Sequence, residues 1–260
     1  AVRNGIDAEQ AENLFKLIEP FAGYAFNKAH AVCYAMVAYQ TAYLKANYPV
    51  EYFAALMAAH FDNQDKVVQY VEECRRRNIQ ILPPDINRSD MDFTVEGEAI
   101  RFGLGAIKNV GKAAVEVILR ARAERPFTSL FDFCVRTLEQ QGNFGKSTVE
   151  TLIQAGAFHS LVPNRNKLLS ALEDTWAAAQ RAVHNRRIGQ ESLFAGGQLQ
   201  EVEEPPLPNV PELSREQILA FEKELLGVYL ADHPLRSLQT RMKQLGVVPC
   251  NHLREMADGA

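Results

Sequence analysis

No uninterrupted apolar run of the roughly 18 residues needed to cross a bilayer occurs in this 260-residue chain. The most apolar stretch, Ala31 to Leu44, is too short and carries Gln40, Thr41 and three tyrosines. The first ten residues, AVRNGIDAEQ, lack a basic start, an apolar centre and a cleavage site, so no secretory signal is expected. An initiator methionine is missing too, which suggests a fragment or a processed chain. Cysteine is scarce. Cys33, Cys74, Cys134 and Cys250 stand far apart with no CxxC pair, so a reducing compartment is expected rather than a disulfide framework. The six histidines are scattered, and Cys250-Asn251-His252 has no partner pair at zinc-finger spacing. No metal site and no cofactor is expected in the chain.

What is present is an ordinary globular composition, 47% hydrophobic and 23% charged. The length suits one large domain or two to three small ones. The net charge of −4 hides a pattern. Residues 1–100 carry 9 basic against 14 acidic side chains, residues 101–190 carry 13 against 7, and residues 191–260 carry 6 against 11. The basic middle is a candidate polyanion-binding surface, or else chance clustering on solvated helix faces.

Periodicity predicts mainly α structure with a small β-hairpin. A short amphipathic helix over 8–18 stops near Pro20. Asn27 precedes a long helix from Lys28 to Asn47 whose apolar and small residues lie on nearly all faces, so a buried central helix is expected. Pro49 breaks it, and helices over 50–60 and 64–78 follow. Ile79-Gln80-Ile81 reads as a strand. Phe93 and Val95, then Ile100 and Phe102, alternate with polar residues around Glu96-Gly97-Glu98, a hairpin signal. Short helices are expected over 111–123, 130–136 and 147–155, with a longer one over 164–185. Residues 189–213, rich in Gly, Pro and Glu, read as a linker. Ser214 and Gln217 form a capping box for a helix running to Leu226, with Ile218, Phe221 and Leu225 as its apolar stripe.

The segment from Phe102 to Ala123, FGLGAIKNVGKAAVEVILRARA, reads as a short helix (Leu104–Lys108), a tight turn at Asn109-Val110-Gly111 and a second helix from Lys112. It resembles the helix-hairpin-helix DNA-binding motif, whose turn is usually Gly-hydrophobic-Gly. Asn109 replaces the first Gly and tolerates left-handed backbone angles. Val110 would pin the turn to the core. Gly111 would let a phosphate approach the first-turn amides of the next helix, with Lys108 and Lys112 adding charge. Such contacts grip the backbone without reading bases. An ordinary αα-hairpin is the plainer alternative. A dinucleotide fingerprint fits less well, because Gly103-Leu-Gly105 is followed by Lys108 where a third Gly belongs. Asp90-Met91-Asp92 has the spacing of a metal-binding carboxylate pair but reads as turn chemistry leading into the hairpin.

The string GYAFNKAHAVCYAMVAYQTAYLKANYPVEY, starting at Gly23, strongly resembles the fingers region of bacterial replicative polymerases of the DNA polymerase III alpha family. The likeness continues through ILPPDINRSDMDFTVEGEAIRFGLGAIKNVG, LIQAGAF and KELLGVYLADHPL, covering nearly the whole chain in order. It implies four parts. Residues 1–82 would be the C-terminal part of the fingers. Residues 83–188 would be a tandem helix-hairpin-helix DNA-binding domain, its second turn near Phe144-Gly145-Lys146-Ser147 departing from the usual pattern. Residues 189–213 would be a linker and 214–260 a helical lead-in to a following domain. Gln190-Glu191-Ser192-Leu193-Phe194 is similar to that family's sliding-clamp-binding peptide, with Leu193 and Phe194 suited to an apolar pocket. Asn27, Lys28 and His30 would lie near the incoming nucleotide or template. The catalytic aspartates and their Mg2+ would belong to an upstream palm, for which no segment matches, so the fragment is not expected to polymerise alone. The implied partners are primer-template duplex DNA, the sliding clamp and other replisome subunits, with no membrane, in the bacterial cytoplasm at the nucleoid. The rivals are a non-enzymatic helix-hairpin-helix repair scaffold and an all-helical protein–protein module.

Overall fold

The computed structural model describes residues 2–22, 28–140, 142–188 and 202–230, and, among the last thirty, residues 232, 234, 235, 238–245 and 247. Chain contacts divide it into two units, Ala1–Tyr52 and Phe53–Ala260.

The first unit is helical: a single 3-10 turn at Val2–Asn4, then α1 (Ala8–Ala22) and α2 (Lys28–Asn47). Helix α1 runs past the expected stop with Pro20 inside it. So near the helix end, the missing N–H forfeits only one intrahelical bond. Helix α2 has the expected bounds, yet none of its residues is buried, which corrects the expectation of a buried central helix. Val32, Tyr34, Met36, Val37, Tyr39, Tyr43 and Leu44 are all exposed. A helix apolar on every side needs neighbours on several sides, and none of the described residues supplies them. Pro49 serves as the first residue of α3 (Pro49–Ala58), where its lost donor would have been unpaired anyway.

The second unit begins where α3 buries Phe53, Ala54 and Met57. Helix α4 (Gln64–Arg76) is capped by Asn63, whose side chain accepts from the Lys66 N–H at 3.2 Å. Val67, Val71 and Cys74, spaced for one face, are buried, and burial pushes the Cys74 thiol up to about 12. Asn78, at φ 58°, turns the chain out of the helix. Three short strands follow, β1 (Gln80–Leu82), β2 (Thr94–Glu96) and β3 (Ala99–Arg101), in the order β1-β3-β2. The expected hairpin is β2–β3, with Thr94 opposite Arg101 and Gly97 at φ 63° in its two-residue loop. The parallel pairing of β1 with β3 makes it a three-stranded sheet. Buried Arg101 locks these pieces together, holding Glu96 at 2.8 and 3.0 Å and the Pro83 carbonyl at 2.8 Å. The Arg101 hydrogen bond keeps the Glu96 carboxyl below its ordinary range.

Four helices complete the core: α5 (Lys112–Arg122), α6 (Leu130–Glu139), α7 (Lys146–Gln154) and α8 (Arg165–Ile188). Helix α6 packs on α5 and α8, and α7 packs on α8. Ser129 caps α6 through the Asp132 N–H. Asp132 is partly desolvated, which works to raise its pKa, but the bonds from Arg125 and the Thr128 N–H outweigh this and hold the carboxyl low. Arg136 lies under α5, donating to the carbonyls of Ala121, Pro126 and Arg125 while stacking over the Phe127 ring. Helix α9 (Arg215–Leu225) carries both bonds of the expected capping box. Its buried stripe is Leu219, Glu222 and Leu225, so the expected stripe was one residue out of phase at two positions. A carboxylate can take the inward position because Arg165 meets it there. A short α10 (Gln239–Gln244) ends the described elements.

Candidate nucleic-acid interface

The turn between β3 and α5 is built from the inside out. Leu104, Ile107 and Val110 are buried at three-residue spacing, so the segment is clamped to the core by its apolar side. The regular part is a 3-10 turn, Leu104–Ala106, shorter than the expected helix to Lys108. It stops there because Ile107 takes an extended ψ of 122° and the Lys108 amide, which would continue the turn, donates away from it, while the Leu104 and Gly105 amides anchor its start to the carbonyls of Asp90 (2.8 Å) and Met91 (2.9 Å). Gly103 explains the same geometry. A Cβ there would lie 2.5 Å from the Asp92 carbonyl carbon.

Asn109 then adopts φ 67°, the left-handed conformation that the first position of the turn requires. It is exposed, while Val110 next to it is buried, as the motif reading expects. Gly111 has an ordinary φ of −72°, so no backbone requirement holds a glycine there. What distinguishes it is space, since nothing lies within 4 Å of a Cβ built on it. Gly111 is the N-cap of α5, yet no side chain among the described residues caps that helix and no acidic residue lies in its first turn. The first-turn amides therefore face an open surface with the positive end of the helix dipole behind them. Lys108 and Lys112 are exposed on either side, and neither pairs with a carboxylate among the described residues. Uncapped amides, an open approach and two free ammonium groups make a site for an anionic oxygen.

The second expected turn is built differently. Helix α7 starts at Lys146 with Gly145 as its N-cap, again without a side-chain cap. Phe144 is half-buried against Phe133 and Trp176 and takes the pinning role of Val110. Lys146 is engaged by Glu173. The left-handed residue here is Gly142, at φ 153°.

Asp90 pairs with Arg122 at 2.8 Å, and Met91 and Asp92 form the bend before β2, so this pair does structural work. Among the described residues no three His, Cys, Asp or Glu side chains come together as a metal site. Lys28 and His30 are exposed at the start of α2, with the His30 ring 4.4 Å from that of Tyr34. Asn27 and all of Gln190, Glu191, Ser192, Leu193 and Phe194 lie outside the described residues. Among those described, no helix is long and apolar enough to cross a membrane.

Two features carry no local sequence signal. The Lys108 N–H donates to the Leu225 carbonyl at 2.9 Å, so α9 supports the turn from behind. In addition, residues 210–212, expected in a linker, lie on the start of α8. Glu212 accepts from the Arg165 and Asn166 amides at 2.8 and 3.1 Å, and Asn164 and Asn166 donate to the Val210 and Pro211 carbonyls.

Residues 78–168 match a family model described as a helix-hairpin-helix motif, spanning β1 to the first turn of α8. The chain is 45% identical to the DNA polymerase III subunit alpha of Thermus aquaticus over 90% of its own length and 19% of that protein. It is 42% identical to the Pseudomonas aeruginosa protein of the same name, over 93% of this chain and 22% of the relative. For that of Escherichia coli K12 the figures are 43%, 90% and 20%. Along most of its length, then, the chain is homologous to the DNA polymerase III alpha subunits, spanning about a fifth of theirs and carrying a helix-hairpin-helix motif.

Proposed function

We propose that the second unit grips duplex DNA by its sugar-phosphate rails, without reading base sequence, as the DNA-holding part of a replicative DNA-directed DNA polymerase. The observation that carries this reading is the 108–112 corner: a left-handed Asn109, a buried Val110, an open Gly111 and the uncapped start of α5 between two exposed lysines that pair with no carboxylate among the described residues. The basic balance of residues 101–190 supports it. The second turn, its lysine held by Glu173, contributes main-chain amides with less charge.

In the full-length protein the reaction is template-directed nucleotidyl transfer, with Mg2+ held by aspartates of a palm outside this chain. Residues 1–82 are read as the end of the fingers, whose exposed apolar helices suit a layer covered by the rest of the enzyme. Lys28 and His30, with Asn27, are assigned to the nucleotide or template, and Gln190 to Phe194 to the sliding clamp. Two measurements in the full-length enzyme read out these assignments: the apparent KM for dNTP in Lys28→Ala, and clamp capture in Leu193→Ala/Phe194→Ala. An unchanged value removes the corresponding role.

The DNA reading is tested by titrating the chain with a short duplex from low to high salt. Affinity falls steeply with salt, and the Lys108→Ala/Lys112→Ala variant shows a log–log slope shallower by about two, roughly one for each phosphate that is no longer neutralised. A slope identical to that of the unaltered chain would mean that the corner does not touch DNA.

A further inference from the structure

The stretch after the linker does more than lead into a following domain. Helix α9 buries Leu219, Leu225 and Leu226, with Val228 just beyond it, in the same core as the hairpins. Its last helical carbonyl, on Leu225, is one of the orphan acceptors at a helix end. The Lys108 amide, the first residue of the DNA-facing corner, fills it at 2.9 Å. On its other side, α9 reaches the second hairpin. Glu222, 2% exposed, holds Arg165 at 3.3 Å and accepts from the Leu230 N–H at 2.8 Å. The other arm of Arg165 donates to the carbonyl of Gln154 at 2.7 Å, the last residue of α7. The strap ahead of α9 is pinned in turn, because Glu212 caps the start of α8. One helix thus touches the first turn through Lys108 and the end of the second hairpin through Glu222 and Arg165.

We propose that residues 210–230 are a clasp that sets the spacing of the two hairpins and holds the Lys108–Lys112 corner in its DNA-receiving shape, with Glu222 as the positioning residue and Glu212 as the strap's anchor. This rests on the DNA reading above and adds a part to it. The matched 78–168 motif would not be a complete grip without a helix that follows it by some fifty residues. Neither glutamate faces the DNA. Each acts through backbone geometry, since an amide displaced by about 1 Å loses most of a hydrogen bond to phosphate.

The test uses the full 260-residue chain and four variants: Glu222→Ala, Glu222→Gln, Glu212→Ala and Lys108→Ala/Lys112→Ala. Two quantities are read, amide hydrogen exchange at Lys108 without DNA and the salt slope of duplex affinity. The clasp requires the Lys108 amide to exchange at least about tenfold faster in Glu222→Ala, with weaker binding and a slope moved towards that of the lysine variant. Glu222→Gln, which keeps an acceptor for the Leu230 N–H, should recover part of both. If Glu222→Ala does not fold, Glu212→Ala carries the same requirement with a smaller effect, because Glu212 is exposed. Folded glutamate variants with unaltered Lys108 exchange and slope would overturn the clasp, even if the lysine variant behaves as expected. Lack of duplex binding by the unaltered chain would instead remove the DNA reading, leaving the exchange measurement to decide whether α9 holds the corner.

Discussion

Gly103→Ala should unfold the second unit at a temperature roughly 6–12 °C lower, a loss of about 3 kcal/mol or more. The cause is space rather than dihedral angle, since Gly103 has an ordinary φ of −73°. A Cβ there would stand 2.5 Å from the Asp92 carbonyl carbon and 2.7 Å from the Asp92 and Met91 oxygens, all main-chain atoms that cannot swing aside. To make room, the 90–92 bend must move away from the 3-10 turn. That breaks the bonds from Leu104 to the Asp90 carbonyl and from Gly105 to the Met91 carbonyl. Four residues C-terminal to Gly105, Asn109 would lose its fixed footing as well. Gly111→Ala is the informative partner: φ is again ordinary, and the space is empty. That change should leave the melting midpoint within about 1–2 °C, because the backbone accepts alanine without strain. It should weaken duplex binding, since the methyl group stands where a phosphate approaches. Thermal melts of both variants read the difference. Equal midpoints would mean that the close packing at Gly103 does not support the unit.

The contrast between those two glycines shows what local sequence can convey. Both fall in a Gly-rich run that reads as turn chemistry, and the positive φ of Asn109 follows from the same run because its requirement is local. Helices α2 and α9 were legible for similar reasons: an apolar run ended before Pro49, and a Ser-x-x-Gln box. What was not legible depends on partners far along the chain. Nothing near Gly103 announces the 90–92 bend, and nothing near Gln80 announces a parallel partner at Ala99. Glu212 looks like one more acidic linker residue until the start of α8 meets it. The exposure of α2 is the converse case. Its sequence states that it should be buried, and the described residues hold nothing to bury it. Glu222 was unreadable as a core residue because a carboxylate goes inside only where a guanidinium awaits it.

Phe133→Ala should be of comparable size, costing about 3–5 kcal/mol, because Phe133 is fully buried and its removal leaves a large cavity. Its ring centroid lies 4.8 Å from that of Phe127, 4.9 Å from Phe158 and 5.8 Å from Phe144, each in an edge-on arrangement. Those neighbours belong to different parts of the module. Phe127 lies in the loop between α5 and α6 and is fixed by Asn87 through bonds of 2.7 and 2.9 Å. Phe144 precedes the Gly145 cap of α7, and Phe158 follows α7. One side chain of α6 therefore ties the first hairpin to both ends of the second. The cavity should loosen the second turn more than the first, because Val110 keeps its own apolar footing while Phe144, half-exposed, loses one of its two aromatic neighbours. Urea unfolding gives the cost, and amide exchange at Thr148 and Val149, which donate to the Gly145 carbonyl, against that at Ala114 and Val115, which donate to the Gly111 carbonyl, gives its distribution. A loss under about 1 kcal/mol, or equal loosening of both turns, would show that the aromatic cluster is not what joins the hairpins.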